Sequence, residues 1–210
     1  MLERTESIPT LIKKGAEADI YLTQWGGIKA ISKVRSPKTY RHKSLDTAIR
    51  KHRTIQEANF LSAAKAAGIL SPFIYFVDPV NAEIVMEFVE GKNVRDALTA
   101  NLCYQIGMYA AMLHTNKIIH GDLTTSNFIV NGDRLVLLDF GLSYYSNRTE
   151  DAATDVRLIK EVFTSMHLQV RRAFERFVKG YTSVVGEKAT RRILGNVREI
   201  EQRGRYARVT

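Results

Sequence analysis

The apolar positions change their spacing twice along the chain. Over the first third they form short runs closed by turn residues. Pro9–Lys14 and Ala18–Gln24 are broken at Gly15, and Gly26-Gly27 precedes Ile28–Val34 as a hairpin turn. A helical pattern starts near Ser44 and continues to about Ala67, with Leu45, Ile49, Ile55, Ala58 and Leu61 at helical intervals and Gly68 as the stop. Phe73–Val77 and Ile84–Phe88 then read as strands around the turn Asp78-Pro79-Val80-Asn81. Five strands and one helix predict a small β-rich lobe.

Beyond Gly91 helix formers take over. Val94–Thr115 reads as one helix with Leu98, Leu102, Ile106, Tyr109, Ala110 and Leu113 on one face. Phe128–Val130 and Leu135–Leu138 flank Asn131-Gly132-Asp133, a strong hairpin signal. From Thr149 the pattern is helical again, in pieces broken near His167, Gly186 and Gly204. The stretch Val89–Lys92 separates a first lobe from a second. There is no internal repeat and no low-complexity segment.

Composition excludes several classes. The 210 residues suit one domain with two lobes. Cys103 is the only cysteine, so an intrachain disulfide and a cysteine-based zinc site are excluded. No apolar run approaches the ~18 residues of a membrane span, and the charged start Met1–Glu6 is not a secretory signal. A cytoplasmic location and no membrane partner are expected.

Charge sharpens the picture. The net charge is +9. Nine basic residues between Lys29 and Arg53 oppose the single acid Asp46, a local +8, and Lys188–Thr210 carries +5. The rest of the chain is net −4. Two basic segments on a mildly acidic body point to phosphate or nucleic acid as partner.

The chemistry concentrates after the second long helix, in His120-Gly121-Asp122-Leu123-Thr124-Thr125-Ser126-Asn127, followed 12 residues after Asn127 by Asp139-Phe140-Gly141. Ordered this way around a hairpin, the two strings resemble the catalytic loop and the metal-binding triplet of the protein kinase superfamily. The resemblance implies Asp122 as the residue that orients the attacking hydroxyl and accepts its proton. It implies Asn127 and Asp139 as Mg2+ ligands, and ATP as the phosphoryl donor. His120 is expected to pack and hydrogen-bond behind the loop.

A kinase also needs a strand lysine held by a helix glutamate. Lys33 in Ala30-Ile31-Ser32-Lys33 and Glu57 in Ile55-Gln56-Glu57-Ala58 fill these places, Lys29 being less well set at the strand's start. Gly15, Ala16 and Glu17 stand where the phosphate-covering loop belongs, with one glycine where ordinary kinases have three. Gly-Ala-Glu-Ala resembles small atypical kinases instead. Met86-Glu87-Phe88-Val89 resembles an adenine-binding strand, with the Glu87 carbonyl and the Val89 amide reading the base.

From Gly141 to Asp155 there are only 14 residues and no Ala-Pro-Glu, so the peptide-docking platform of a signalling kinase is largely absent. Arg35-Ser36-Pro37-Lys38-Thr39-Tyr40-Arg41-His42-Lys43-Ser44-Leu45-Asp46 and Gln202-Arg203-Gly204-Arg205 narrow the match. They resemble the segment after the catalytic lysine and the basic tail of the small atypical kinase of the KEOPS complex. Glu150–Val156 is similar to that family's first helix after the metal site, with Asp155 expected to brace the catalytic loop.

This resemblance implies an α+β, minimal protein-kinase-like fold in two lobes. A β-rich N-lobe (1–90) and a reduced helical C-lobe (91–202) lacking an activation segment are followed by a basic tail (203–210). It also implies a non-specific serine/threonine protein kinase and ATPase working with a tRNA-threonylcarbamoyl synthase subunit, other KEOPS subunits and tRNA. The complex modifies the adenosine next to the anticodon, and Arg203 and Arg205 are expected to contact tRNA or partner. Three rivals stand beside it: a RIO-type kinase of ribosome maturation, an aminoglycoside-type phosphotransferase, and a non-catalytic tRNA-binding scaffold with a kinase fold.

Overall fold

β-Branched and aromatic residues alternate with polar ones in the N-terminal runs, and these runs pair into a five-stranded antiparallel sheet. The structure is a computed structural model that describes residues 8–206, with side chains through Arg203. The strands are β1 (Thr10–Lys14), β2 (Asp19–Trp25), β3 (Ile28–Val34), β4 (Ile74–Asp78) and β5 (Glu83–Glu87), in the order β1-β2-β3-β5-β4. Trp25 pairs with Ile28 across the Gly26-Gly27 turn, and β3 runs beside β5 from Ala30↔Glu87 to Val34↔Glu83.

Helix α1 (Lys43–Ala66) places Ala58 against Ile84 and Met86, with Ile31, Ile74 and Val77 closing the cluster. Its inner face is not the apolar stripe that the sequence suggests. Leu45 and Ile55 are exposed, while Asp46, Thr54 and Glu57 are buried. The cause is electrostatic: the first half of the helix faces cationic side chains, so carboxylates rather than leucines turn inward.

The chain divides into two compact units, 1–63 with 71–90 and 64–70 with 91–210. The boundary after residue 90 agrees with the sequence reading, but segment 64–70 joins the second unit. Local hydrogen bonds show why: the Leu70 carbonyl receives the Leu137 N–H at 2.9 Å, and the Leu70 N–H donates to the Tyr109 hydroxyl at 3.4 Å.

In the second unit the helix expected over Val94–Thr115 is two helices, α2 (Val94–Ala97) and α3 (Ala100–Thr115). Leu98 is extended, and the Thr99 hydroxyl caps α3 by accepting the Leu102 N–H at 3.2 Å. Three two-residue strands, β6 (Lys92–Asn93), β7 (Ile118–Ile119) and β10 (Tyr144–Tyr145), are too short to leave a periodic signal. β6 extends the hairpin of β8 (Phe128–Asn131) and β9 (Arg134–Leu137), and β10 pairs with β7.

Helix α4 (Thr149–Met166) ends at His167 as its sequence indicates. Helix α5 (Ala173–Tyr206) is interrupted at Gly186, again as expected, but it runs through Gly204 without a break. The expected tail therefore begins as helix. A Cβ on Gly107 of α3 would overlap the Phe177 carbonyl of α5, and a Cβ on Gly180 would overlap the Tyr104 carbonyl. The two helices cross backbone to backbone, which only glycine at both positions permits. This contact fixes α3, and with it the loop that leaves its C-terminus.

Candidate catalytic and nucleotide-binding residues

In the first unit, strand spacing sends Lys33 and Arg35 to the same side, and both meet Glu57 from α1. Lys33 Nζ lies 2.5 Å from Glu57 Oε1, and Arg35 Nη2 lies 2.6 Å from Oε2. All three are buried, with Glu57 only 1% exposed. Each oxygen of Glu57 thus takes one cation, the arrangement that makes a buried charge tolerable. The Lys33–Glu57 pair is the one that the sequence suggested. Arg35 was missed, although its position two residues after Lys33 was the available signal.

The β1–β2 loop carries Gly15, Ala16 and Glu17. A Cβ on Gly15 would overlap the Ala18 carbonyl, so the turn closes too tightly for a side chain. Lys38 Nζ donates to the Ala16 carbonyl, and Arg53 pairs with Glu17. Arg41 and Arg50 turn to Asp46. Much of the basic segment from Lys29 to Arg53 is therefore spent inside its own unit, where Glu17, Asp46 and Glu57 partner it.

Glu87 ends β5, its N–H donating to the Phe73 carbonyl at 2.7 Å and its carboxylate accepting the Phe73 N–H at 3.0 Å. Val89 lies two residues past the last ladder pair, Ala30↔Glu87. Its backbone is outside regular structure.

In the second unit the His120–Asn127 loop leaves β7 through Gly121, at φ 80°. A Cβ there would overlap the Leu142 carbonyl, so both the left-handed backbone and the close approach require glycine. The Asp122 N–H donates to His120 Nδ1 at 3.2 Å. Burial pushes the His120 imidazole below its ordinary pKa, against the pull of Asp155, Asp139 and Asp122. A neutral ring whose Nδ1 accepts carries its proton on Nε2. His120 is thus a packing and hydrogen-bonding residue behind the loop, stacked obliquely on Phe140 at 5.3 Å.

Asn127 Nδ2 donates both to the Asp122 carbonyl at 2.8 Å and to Asp122 Oδ2 at 3.0 Å. Its amide oxygen is left as an acceptor. The Asn127 carbonyl receives the Leu138 N–H at 2.9 Å, which continues the β8–β9 register by one residue and places Asp139 one position past the cross-strand neighbour of Asn127. Asp139 Oδ1 accepts the Gly141 N–H at 2.8 Å. A carboxylate and an amide oxygen are hard-oxygen donors of the kind Mg2+ takes together with phosphate oxygens and water. Among the described residues no group of three or more His, Cys, Asp or Glu side chains gathers to hold a metal alone. The donor set fits a magnesium ion that arrives with a phosphate ligand.

Asp155 of α4 braces this loop, as the sequence suggested. Its oxygens accept the N–H of His120 at 2.6 Å and of Gly121 at 2.9 Å. Burial opposes its ionisation, but the hydrogen bond and charge of His114, with His120 behind them, hold the carboxyl below its usual range. Three further supports were not legible in sequence. His114 meets Asp155 at 3.3 Å and the Tyr181 hydroxyl at 2.9 Å, Ser143 Oγ donates to the His120 carbonyl at 3.0 Å, and His167 meets Thr125 Oγ1 at 3.0 Å. Each joins residues far apart in the chain, so no local spacing announces it.

Arg203, expected in a free tail, is on α5 and pairs with Glu150 of α4 at 3.0 Å. Lys160 and Glu201 make a second link between these helices at 2.7 Å. The side chain of Arg205 lies outside the described residues.

Comparison with known proteins identifies the family. A family model described as the protein kinase domain matches residues 24–166. The chain is 40% identical over 210 residues to the KEOPS complex subunit Bud32 of Pyrococcus abyssi, covering 93% of this chain and 96% of that protein. It is 42% identical over 197 residues to a probable bifunctional tRNA threonylcarbamoyladenosine biosynthesis protein of Methanobrevibacter smithii, covering 93% of this chain and 36% of that protein. The chain therefore spans about a third of the length of such bifunctional relatives. Among solved structures, the Rio2 kinase of Chaetomium thermophilum in its ADP/Mg2+-phosphoaspartate complex has a TM-score of 0.64 at 16% identity, covering 95% of this chain and 71% of that one. That likeness speaks for the two-lobed kinase fold. By the matched domain and by identity along nearly its whole length, the chain belongs to the protein kinase family and, within it, to the family of the KEOPS complex subunit Bud32.

Proposed function

We propose that this chain is a Mg2+- and ATP-dependent atypical serine/threonine kinase and ATPase of the KEOPS complex, supporting threonylcarbamoylation of the adenosine next to the anticodon in tRNA. The observation that carries the reading is the Asn127–Asp122 pairing, in a chain 40% identical to Bud32. Phosphoryl transfer asks little covalent chemistry of a protein and much positioning of charge, and these residues supply that.

Lys33, fixed by Glu57, grips the ATP phosphates, and the loop Gly15-Ala16-Glu17 covers them. The Glu87 carbonyl and the Val89 amide read the adenine. Asp139 and the Asn127 amide oxygen hold Mg2+, which when bound neutralises the charge of the phosphates. Asp122, one oxygen fixed by Asn127, orients the attacking serine, threonine or water hydroxyl and accepts its proton. The natural partners are the tRNA-threonylcarbamoyl synthase subunit, other KEOPS subunits and tRNA, with Arg203 and Arg205 as the residues proposed to meet them. The role proposed is a cytoplasmic one. Among the described residues no helix is long and apolar enough to cross a membrane.

The test is Mg2+-dependent ATP turnover by wild type, Asp122→Ala and Asp139→Ala, with and without tRNA and the synthase subunit. Turnover is expected to be lost in both variants, with ATP binding weakened more by Asp139→Ala. Equal turnover in all three proteins would reject the enzyme and leave a tRNA-binding scaffold.

A further inference from the structure

A cavity of about 640 Å³ opens within the second unit, among the C-terminus of α3, the start of α4 and the middle of α5. None of the catalytic or nucleotide-binding residues proposed above lines it. Four cationic side chains do, Lys117, Arg148, Lys188 and Arg192, and no aspartate or glutamate is among the lining residues. Arg148 is tied to Glu150 at 3.1 Å. For Lys117, Lys188 and Arg192 no carboxylate partner occurs among the described residues. Lys188 and Arg192 stand one helical turn apart, on the neighbouring row to Ala189 and Ile193, so their charges flank an apolar strip.

The floor is different in kind. Ile119, Tyr181 and Ile193 are buried there, and Val185 and Ala189 complete an apolar surface. Lys117 contributes from a left-handed backbone, at φ 63°, where glycine or asparagine usually ends a helix. An apolar floor of this size beside three cations with no carboxylate partner among the described residues suits a small ligand with an apolar body and a strongly acidic group. Three cations, two from α5 and one from the turn after α3, can meet more oxygen atoms than a carboxylate offers, whereas a phosphate dianion has three to share.

We propose that this cavity is a binding site for a small organic phosphate, with the phosphate at Lys117, Lys188 and Arg192 and the organic part on Tyr181 and Ile193. Its wall includes His114, the residue that meets Asp155, so the ligand lies one side chain away from the brace of the His120–Gly121 backbone.

Phenyl phosphate is a suitable probe, titrated into the full chain and followed by amide NMR. The expected result is saturable shifts at Lys117, Thr149 and Ala189. Affinity should fall at least fivefold in the double variant Lys188→Gln/Arg192→Gln, whose exposed positions leave the fold intact. Inorganic phosphate should bind at least threefold more weakly than phenyl phosphate, because it lacks the apolar part. A short oligouridylate forms a third arm. Absence of saturable shifts at these amides, equal affinity in the double variant, equal affinity for inorganic phosphate, or binding of the oligouridylate alone would each overturn the proposal.

Discussion

Asp155 reaches back 35 residues to the backbone of His120, accepting its N–H at 2.6 Å while its other oxygen takes the N–H of Gly121. One carboxylate satisfies both N–H groups, that of buried His120 among them, and the loop carrying Asp122 is fixed from behind.

Asp155→Asn keeps the shape but removes the charge and one acceptor. The expected loss is about 2–4 kcal/mol of stability, since one of the two N–H groups loses its acceptor and the charge beside His114 is gone. ATP turnover should fall at least tenfold, from misplacement of Asp122. Urea unfolding and steady-state turnover check both; a variant with wild-type values in each would remove the brace from the account.

The Lys33–Glu57–Arg35 cluster predicts an asymmetry. Glu57→Ala strands two buried cations and should cost about 3–5 kcal/mol. Adding Lys33→Met to it should cost less than the sum of the two single changes, because the lysine no longer needs its partner. A double-mutant cycle by chemical denaturation measures this. The KM for ATP should rise in both single variants.

Gly107→Ala and Gly180→Ala should each destabilise by more than about 3 kcal/mol, since the new methyl meets a carbonyl of the facing helix rather than a movable side chain. Gly195 offers the control. It is also helical, but nothing lies within 4 Å of the place a Cβ would take, so Gly195→Ala should be stabilising by about 0.5–1 kcal/mol. Thermal melts of the three variants distinguish helix crossing from helix propensity.

Acid should weaken the fold in two stages. His120 and His167 are both held below the ordinary imidazole value of 6.5, chiefly by burial. Above 6.5 the ring is neutral folded or unfolded, so there is no effect; below it the unfolded chain takes up protons that the native state refuses, and stability falls with pH. Asp155, whose pKa is depressed from 3.8, adds a further loss as pH falls below that value. His120→Gln should flatten the first stage. A wild-type stability profile that stays level from about pH 7 to about pH 5 would contradict this.

The Arg203–Glu150 pair is on the surface and should contribute under about 1 kcal/mol to stability. Arg203→Glu is therefore expected to fold normally. If Arg203 also touches tRNA phosphate, the variant should bind tRNA more weakly, with the slope of log K against log salt reduced by about 0.7–0.9. Unchanged affinity and slope would confine Arg203 to holding α5 against α4.

Local chemistry alone determined much of this protein. Short apolar runs and turn residues located all five strands of the first unit and the β8–β9 hairpin, because such runs and Gly-containing turns are properties of neighbouring residues. The same locality made Asp122, Asn127 and Asp139 legible, since one loop and one hairpin end carry all three. Lys33 and Glu57 were found by asking what a nucleotide site needs on a strand and its following helix. Only the tertiary structure decided where charge and helix ends fall. Leu45 and Ile55 lost the inner face of α1 to Asp46 and Glu57 because Arg41 and Arg50 draw in the first and Lys33 and Arg35 the second, outweighing helical periodicity there. Thr99 split a continuous apolar pattern by capping α3. His114 reached Asp155, and Arg203 reached Glu150, through packing of helices distant in sequence. The +9 charge follows the same division. The sequence shows that it is segregated, but folding decides which cations are consumed by Glu17, Asp46 and Glu57 and which remain around the cavity of the second unit to meet an anion.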